Sequence, residues 1–169
     1  MKIIALTCLG IACALTGNYI AYRLNMRVLL IEKLEIMLNS IICEVNYLSA
    51  PVEEIVEALS VRKDLQKLQF LSVCKKQIDS GEDFRSAWKK AVSDKRNVRY
   101  LNSEDISILE AFGNEFGTTD SESLISVCKM YSVMVRENLK VAKEFTQRYA
   151  SLSGGIGLLT GIGVIIVLF

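Results

Sequence analysis

Apolar residues recur at steps of three and four along most of the chain, and the breaks in that rhythm divide it into six helical stretches. The first carries Leu30, Leu34, Met37, Ile41, Val45 and Leu48 on one line, with Glu32, Lys33, Glu35 and Glu44 off it. Upstream, Ile3 to Ala21 holds no charge, so the pattern predicts one long helix whose two halves suit different solvents. Pro51, the only proline, ends it; a proline suits a first helical turn, and Glu53 and Glu54 favour the positive end of the dipole that follows. That second helix, from Pro51 to about Ser60, would bury Val52, Ile55, Val56 and Leu59. Asp64 is the expected cap of a third, which carries Leu65, Leu68, Leu71, Val73, Cys74 and Ile78 and stops near Gly81. Asp83 starts a fourth with Phe84, Ala87, Trp88 and Ala91 on one side, and the polar stretch 93–99 reads as a connector.

A fifth helix begins at Asn102 or Ser103, with Glu104 and Asp105 in its first turn, Ile106, Leu109, Phe112 and Phe116 inward, and Gly117 as a left-handed terminal residue. Thr119 or Asp120 caps the sixth, whose inward line runs Leu124, Cys128, Tyr131, Val135, Leu139, Ala142, Phe145 and Tyr149. Beyond Arg148 there is no charged side chain, and the stretch 149–169 matches the roughly 20 residues that cross a bilayer core. The expected architecture is all-α: a cytoplasmic six-helix bundle flanked by N- and C-terminal transmembrane helices. Its parts are a membrane segment at 1–22, the bundle at 23–148 and a second membrane segment at 149–169. The two long terminal helices run antiparallel, and the four short ones pack at their cytoplasmic end.

Composition strengthens the membrane reading, since 51% of residues are hydrophobic and the mean hydropathy is +0.31. Arg23, Arg27 and Lys33 flank the inner end of the first apolar segment, and Arg136, Lys140, Lys143 and Arg148 flank the second, which places the middle of the chain in the cytoplasm. The 20 basic and 19 acidic residues are intermixed, so no nucleic-acid partner is expected. A second reading of the N-terminus stays open: Lys2, a short apolar run and Ala12-Cys13-Ala14 resemble a cleaved secretory signal. The product would be an exported helical bundle with only a C-terminal anchor, acting as a structural binding module. Continuation of the apolar run through Leu15, Tyr19 and Ile20 to a basic flank favours a retained anchor. Small residues at Gly10, Ala14 and Gly17, and again at Ser153, Gly157 and Gly161, are spaced so that membrane helices can approach closely, although glycine and alanine are common in such helices anyway.

Candidate chemistry is sparse. The chain has no histidine, which removes the usual general base, most nucleophile triads and most transition-metal sites. No glycine-rich phosphate loop precedes a basic residue, so nucleotide hydrolysis is not expected either. The carboxylate pairs Glu53-Glu54 and Glu104-Asp105 fall at helix starts, where dipole and capping account for them. Cys43, Cys74 and Cys128 form no C-x-x-C pair, each falls on an apolar helical face, and they read as reduced core cysteines. The expectation is a protein that is not an enzyme and takes no cofactor or metal.

Particular blocks carry a resemblance. Glu44-Val45-Asn46-Tyr47 followed by Pro51-Val52-Glu53-Glu54 resembles the Glu-aliphatic-x-Tyr, Pro-aliphatic-x-Glu signature of the stage III sporulation protein AB family of endospore-forming bacteria. The stretch from Leu109 through Phe112-Gly113 and Gly117 to Asp120 is similar to that family's Leu-x-x-Phe-Gly-x-x-Leu-Gly-x-x-Asp block, with Phe116 where leucine is usual. Gly81-Glu82-Asp83 with Ala87-Trp88 matches a looser third block. The resemblance implies a non-enzymatic mother-cell membrane protein, in the membrane surrounding the forespore, within a secretion-like channel joining the two cells. It further implies a cytoplasmic domain similar to the inner-membrane platform protein of type II secretion and type IV pilus systems. Such a domain would engage a secretion-type cytoplasmic ATPase and other membrane components of the channel; self-association is left open. Glu44, Tyr47, Pro51, Glu54, Phe112, Gly113, Gly117 and Asp120 are the candidate partner-binding or structural positions. Glu54 is the leading candidate for an exposed contact, and Glu44 and Tyr47 suit a buried interhelical hydrogen bond better than a partner contact.

Overall fold

The structure, a computed structural model, describes the backbone of residues 2–48, 51–116 and 121–168, and the side chains of residues 15–46, 51–116 and 123–150. In chain order the elements are α1 (Lys2–Leu48), α2 (Val52–Val61), a 3-10 turn (Lys63–Leu65), α3 (Gln69–Asp79), α4 (Phe84–Ser93), α5 (Ser103–Phe116) and α6 (Ser121–Leu168). No strand occurs among the described residues. At 1.5 Å per residue α1 and α6 are each about 70 Å long.

These two helices run antiparallel, fixed in register by Arg136 on Glu35 at 2.9 Å and Lys143 on Glu32 at 2.8 Å. Both ion pairs face solvent and add little stability. Cohesion comes from the apolar lines expected from the sequence: Leu30, Leu34, Met37, Ile41 and Val45 of α1 are buried in one core with Leu124, Cys128, Tyr131, Val135, Leu139 and Ala142 of α6. Each buried Leu, Ile or Val contributes about 1.5–3 kcal/mol relative to exposure. The short helices close that core as a winding layer, α2 on α3, α3 on α4, α4 on α5 and α5 on α6.

Local chemistry sets the element ends. Pro51, at φ −63° and ψ 156°, is the cap residue of α2 and its carbonyl accepts the amide of Ile55. The α3 terminus closes with the amide of Glu82 on the Gln77 carbonyl and that of Gly81 on Ile78, while Gly81 takes φ 92°. This pairing needs a left-handed residue, and glycine supplies one without a Cβ penalty. Asp83 accepts the amide of Ser86 at 3.0 Å and so caps α4, and that bond holds its carboxyl below the usual range.

Three expectations need correcting. Asp64 does not cap α3. It lies in the 3-10 turn, its carboxylate is taken by the Arg62 guanidinium at 2.8 and 3.1 Å, and α3 starts only at Gln69. Leu65 and Leu68 are still buried, because the three-residue step of the turn keeps them on one side. Cys43 is exposed rather than in the core; it stands two positions from both Ile41 and Val45, on the opposite side of α1. Phe145 is 57% exposed although it continues the inward line of α6. The first turn of α5 lies level with Asn138, so beyond that point α5 no longer covers α6.

Among the described residues no helix is long and apolar enough to cross a membrane. The apolar segments read from the sequence at 3–21 and 149–169 fall mostly on side chains outside the described ones, although the helical backbone of α1 and α6 runs through both.

Candidate partner-binding site

The first motif block maps to the corner where α1 hands over to α2. Glu44 is half-buried on α1, and Pro51 and Glu54 are exposed at the start of α2, while the side chain of Tyr47 lies outside the described residues. Glu53 is exposed beside Glu54, so the corner presents carboxylates to solvent. The neighbouring cation is Arg62, which the sequence did not single out. Its guanidinium donates to the Ser40 hydroxyl at 2.8 Å and to Asp64, and the Ser40 hydroxyl in turn donates to the Ile36 carbonyl. The Asp64 hydrogen bond, with smaller help from the Glu44 charge, raises the Arg62 pKa. Arg62 thereby pins the end of α2 to the C-terminal part of α1.

The second block is internal. Phe112 is buried among aromatic rings, with centroids 5.7 Å from Trp88, 5.1 Å from Phe116 and 5.4 Å from Tyr131. Trp88 donates its indole N–H to the Leu109 carbonyl at 2.9 Å. A Cβ on Gly113 would overlap the five-membered ring of Trp88, so glycine is needed there for α4 to lie against α5. Phe112 and Gly113 thus shape the bundle and offer no exposed surface. Gly117 and Asp120 lie outside the described residues.

Asp105 was expected to serve the helix dipole and capping; it does cap α5, and it does more. It is buried, with Arg27 of α1 at 2.7 and 3.1 Å, the Asn102 amide at 3.1 Å and the Asn138 side-chain amide of α6 at 3.0 Å. The Asn102 side chain reciprocates by accepting the Asp105 amide at 2.8 Å, which makes a capping box. One carboxylate therefore ties α1, α5 and α6 together. Its place four residues before Leu109, on the inward line of α5, was the available signal.

The thiols of Cys74 and Cys128 are pushed up to about 12 by burial, which keeps them protonated and unreactive. Burial, reinforced by a hydrogen bond to Glu115 at 2.9 Å, likewise pushes the Tyr131 phenol up to about 12. Among the described residues no group of three His, Cys, Asp or Glu is placed to hold a metal ion. Of the small residues read as membrane packing, only Gly17 has its surroundings described, and among the described residues nothing lies within 4 Å of where its Cβ would stand. The side-chain positions of Gly10, Ala14, Ser153, Gly157 and Gly161 lie outside the described residues.

Comparison with known proteins agrees with the motif blocks. The family model for stage III sporulation protein AB matches residues 2–169. A solved structure titled "Stage III sporulation protein AB (SpoIIIAB)" superposes with a TM-score of 0.56 at 20% identity, covering 72% of this chain and 96% of that one. At that identity the likeness speaks for the fold. No curated protein matches the chain.

Proposed function

The chain belongs to the stage III sporulation protein AB family, and we propose that it is a non-enzymatic membrane platform of the channel between mother cell and forespore, its bundle engaging a secretion-type ATPase. The observation that carries this reading is the continuity of α1 and α6. Each is one unbroken helix that contributes a core line to the bundle and then runs on into a stretch with no charged side chain, 3–21 or 149–169. Two such helices form a rigid mount, with the bundle on the basic, cytoplasmic side and the apolar ends in lipid. Other membrane components of the channel would meet the apolar ends.

The ATPase contact is assigned to the α1–α2 corner. Glu54, Pro51 and Glu53 are exposed there, at the end of α1 opposite its apolar run. Exposed carboxylates on a fixed corner suit a basic partner surface and act mainly on encounter rate and specificity. The test is co-purification of the full chain, solubilised in detergent, with the secretion-type ATPase made during sporulation, followed by crosslinking from a photoreactive residue at the exposed position 57, one turn along α2 from Glu54. Recovery of the ATPase and a crosslink that Glu54→Lys abolishes are expected. Absence of the ATPase from the bound fraction overturns the partner, and a crosslink unaffected by that substitution overturns the corner.

A further inference from the structure

The connector 94–101 folds back to the end of the bundle where the apolar run of α1 begins. Its turns are built in: Asp94 accepts the Arg96 amide at 2.9 Å, the Asn97 side chain donates to the Ala91 carbonyl at 2.8 Å, and Val98 and Leu101 are buried as plugs. This fixes Tyr100 edge-on to Tyr22, with ring centroids 6.0 Å apart, one residue beyond the last of the uncharged stretch 3–21. Between them opens a cleft of about 360 Å³ rimmed by Lys67, Arg96 and Arg99 and floored by Met26 and Leu30. The Arg99 guanidinium lies 5.5 Å from the centre of the Tyr100 ring. Lys95 is exposed on the same connector, and Asp94 is its one carboxylate, held by Arg96 at 2.8 Å.

One face of α1 passes through this place. Leu30 is buried, Met26 is half-buried, and above them Tyr22, Tyr19 and Leu15 continue the same line at 53%, 52% and 66% exposure. A cationic cleft with tyrosines at its lip and an open apolar face leading away has the shape of an amphiphile: an anion at one end, hydrocarbon at the other. Tyrosine and basic residues together are what a protein places at the headgroup level.

We propose that this cleft binds the phosphate headgroup of an anionic phospholipid, with an acyl chain lying along Leu15, Tyr19 and Tyr22. The proposal rests on the membrane seat proposed above and adds a lipid-specific site to it. Lys67 and Arg99 supply the headgroup contacts, since Arg96 is shared with Asp94. The connector is then a third point of membrane contact beside the two helices, and it fixes how far the bundle stands from the bilayer.

The test titrates the detergent-solubilised full chain with phosphatidylglycerol or phosphatidylcholine and counts bound lipid by native mass spectrometry. Phosphatidylglycerol should be retained over phosphatidylcholine. Lys67→Gln with Arg99→Gln should lose affinity by about thirtyfold, the worth of two surface cations near anionic lipid. Lys67→Arg with Arg99→Lys should keep it. Equal uptake of both lipids, or unchanged binding in the glutamine variant, overturns the site. Displacement of the lipid by inorganic phosphate at matching concentration would make it a free-phosphate site and overturns it too. Alkaline extraction of membranes separates the two readings. A chain that stays in the membrane without lipid preference sinks the site alone, and a chain that is extracted yet prefers phosphatidylglycerol sinks the seat alone.

Discussion

Asp105 holds three helices together through one buried carboxylate. Its carboxylate is 2% exposed and its guanidinium partner on Arg27 18% exposed, so removing it strands a mostly buried cation and two N–H donors. Asp105→Ala should cost about 3 kcal/mol, toward the low end for a broken buried pair because Arg27 retains some water, as urea unfolding would show. Gly113 poses a steric question. Alanine gains about 1 kcal/mol in helix propensity, but overlap with a rigid indole costs roughly 1–3 kcal/mol, and clash wins because Trp88 is locked by Leu109. Net destabilisation is expected, partly recovered when Gly113→Ala is combined with Trp88→Phe. The buried thiols give a pH dependence. Cys74 and Cys128 ionise near 9 when unfolded and near 12 when folded, so the unfolded chain releases these protons first. Stability is therefore intact below about pH 9 and falls as pH rises toward 12, by up to about 1.4 kcal/mol per pH unit for each thiol. Alkaline melting curves should fall less steeply in Cys74→Ala with Cys128→Ala, part of the remaining slope coming from the raised Tyr131 phenol.

At the scale of elements, the apolar rhythm was legible wherever one helix face met one core. The inner lines of α4, of α1 as far as Val45 and of α6 as far as Ala142 came directly from spacing, and Pro51, Gly81 and Asp83 marked ends because each has a specific backbone role. Asp64 misled because a carboxylate before an apolar run is an equally good partner for an arginine two residues away. Phe145 misled because periodicity records what a helix can bury, whereas α5 decides how far along α6 anything is there to cover it. The site was less legible still. Tyr22, Lys67 and Arg99 are far apart in sequence, and only the fold-back of a connector with no rhythm of its own brings them together. An element-scale prediction follows from the unbroken α6. A glycine pair inserted after Ala150 should leave the bundle's melting temperature unchanged but abolish sporulation if α6 transmits position to the channel; normal sporulation would reduce it to a tether.

On the scale of the whole molecule, the antiparallel terminal helices bring both apolar runs to one end and the acidic α1–α2 corner to the other. In intact cells a protease added outside should leave 23–148 uncut, and cell lysis should expose it; cleavage before lysis would favour the exported bundle instead. The molecule also carries its own optical gauge. Trp88 is the only tryptophan, it is 2% exposed, and it touches α3 through Phe70 and α5 through Phe112 and Leu109. Its emission should therefore be blue-shifted while the short helices are closed and move red in one step when they open, which lets one fluorophore distinguish a variant that loses a ligand from one that loses its shape.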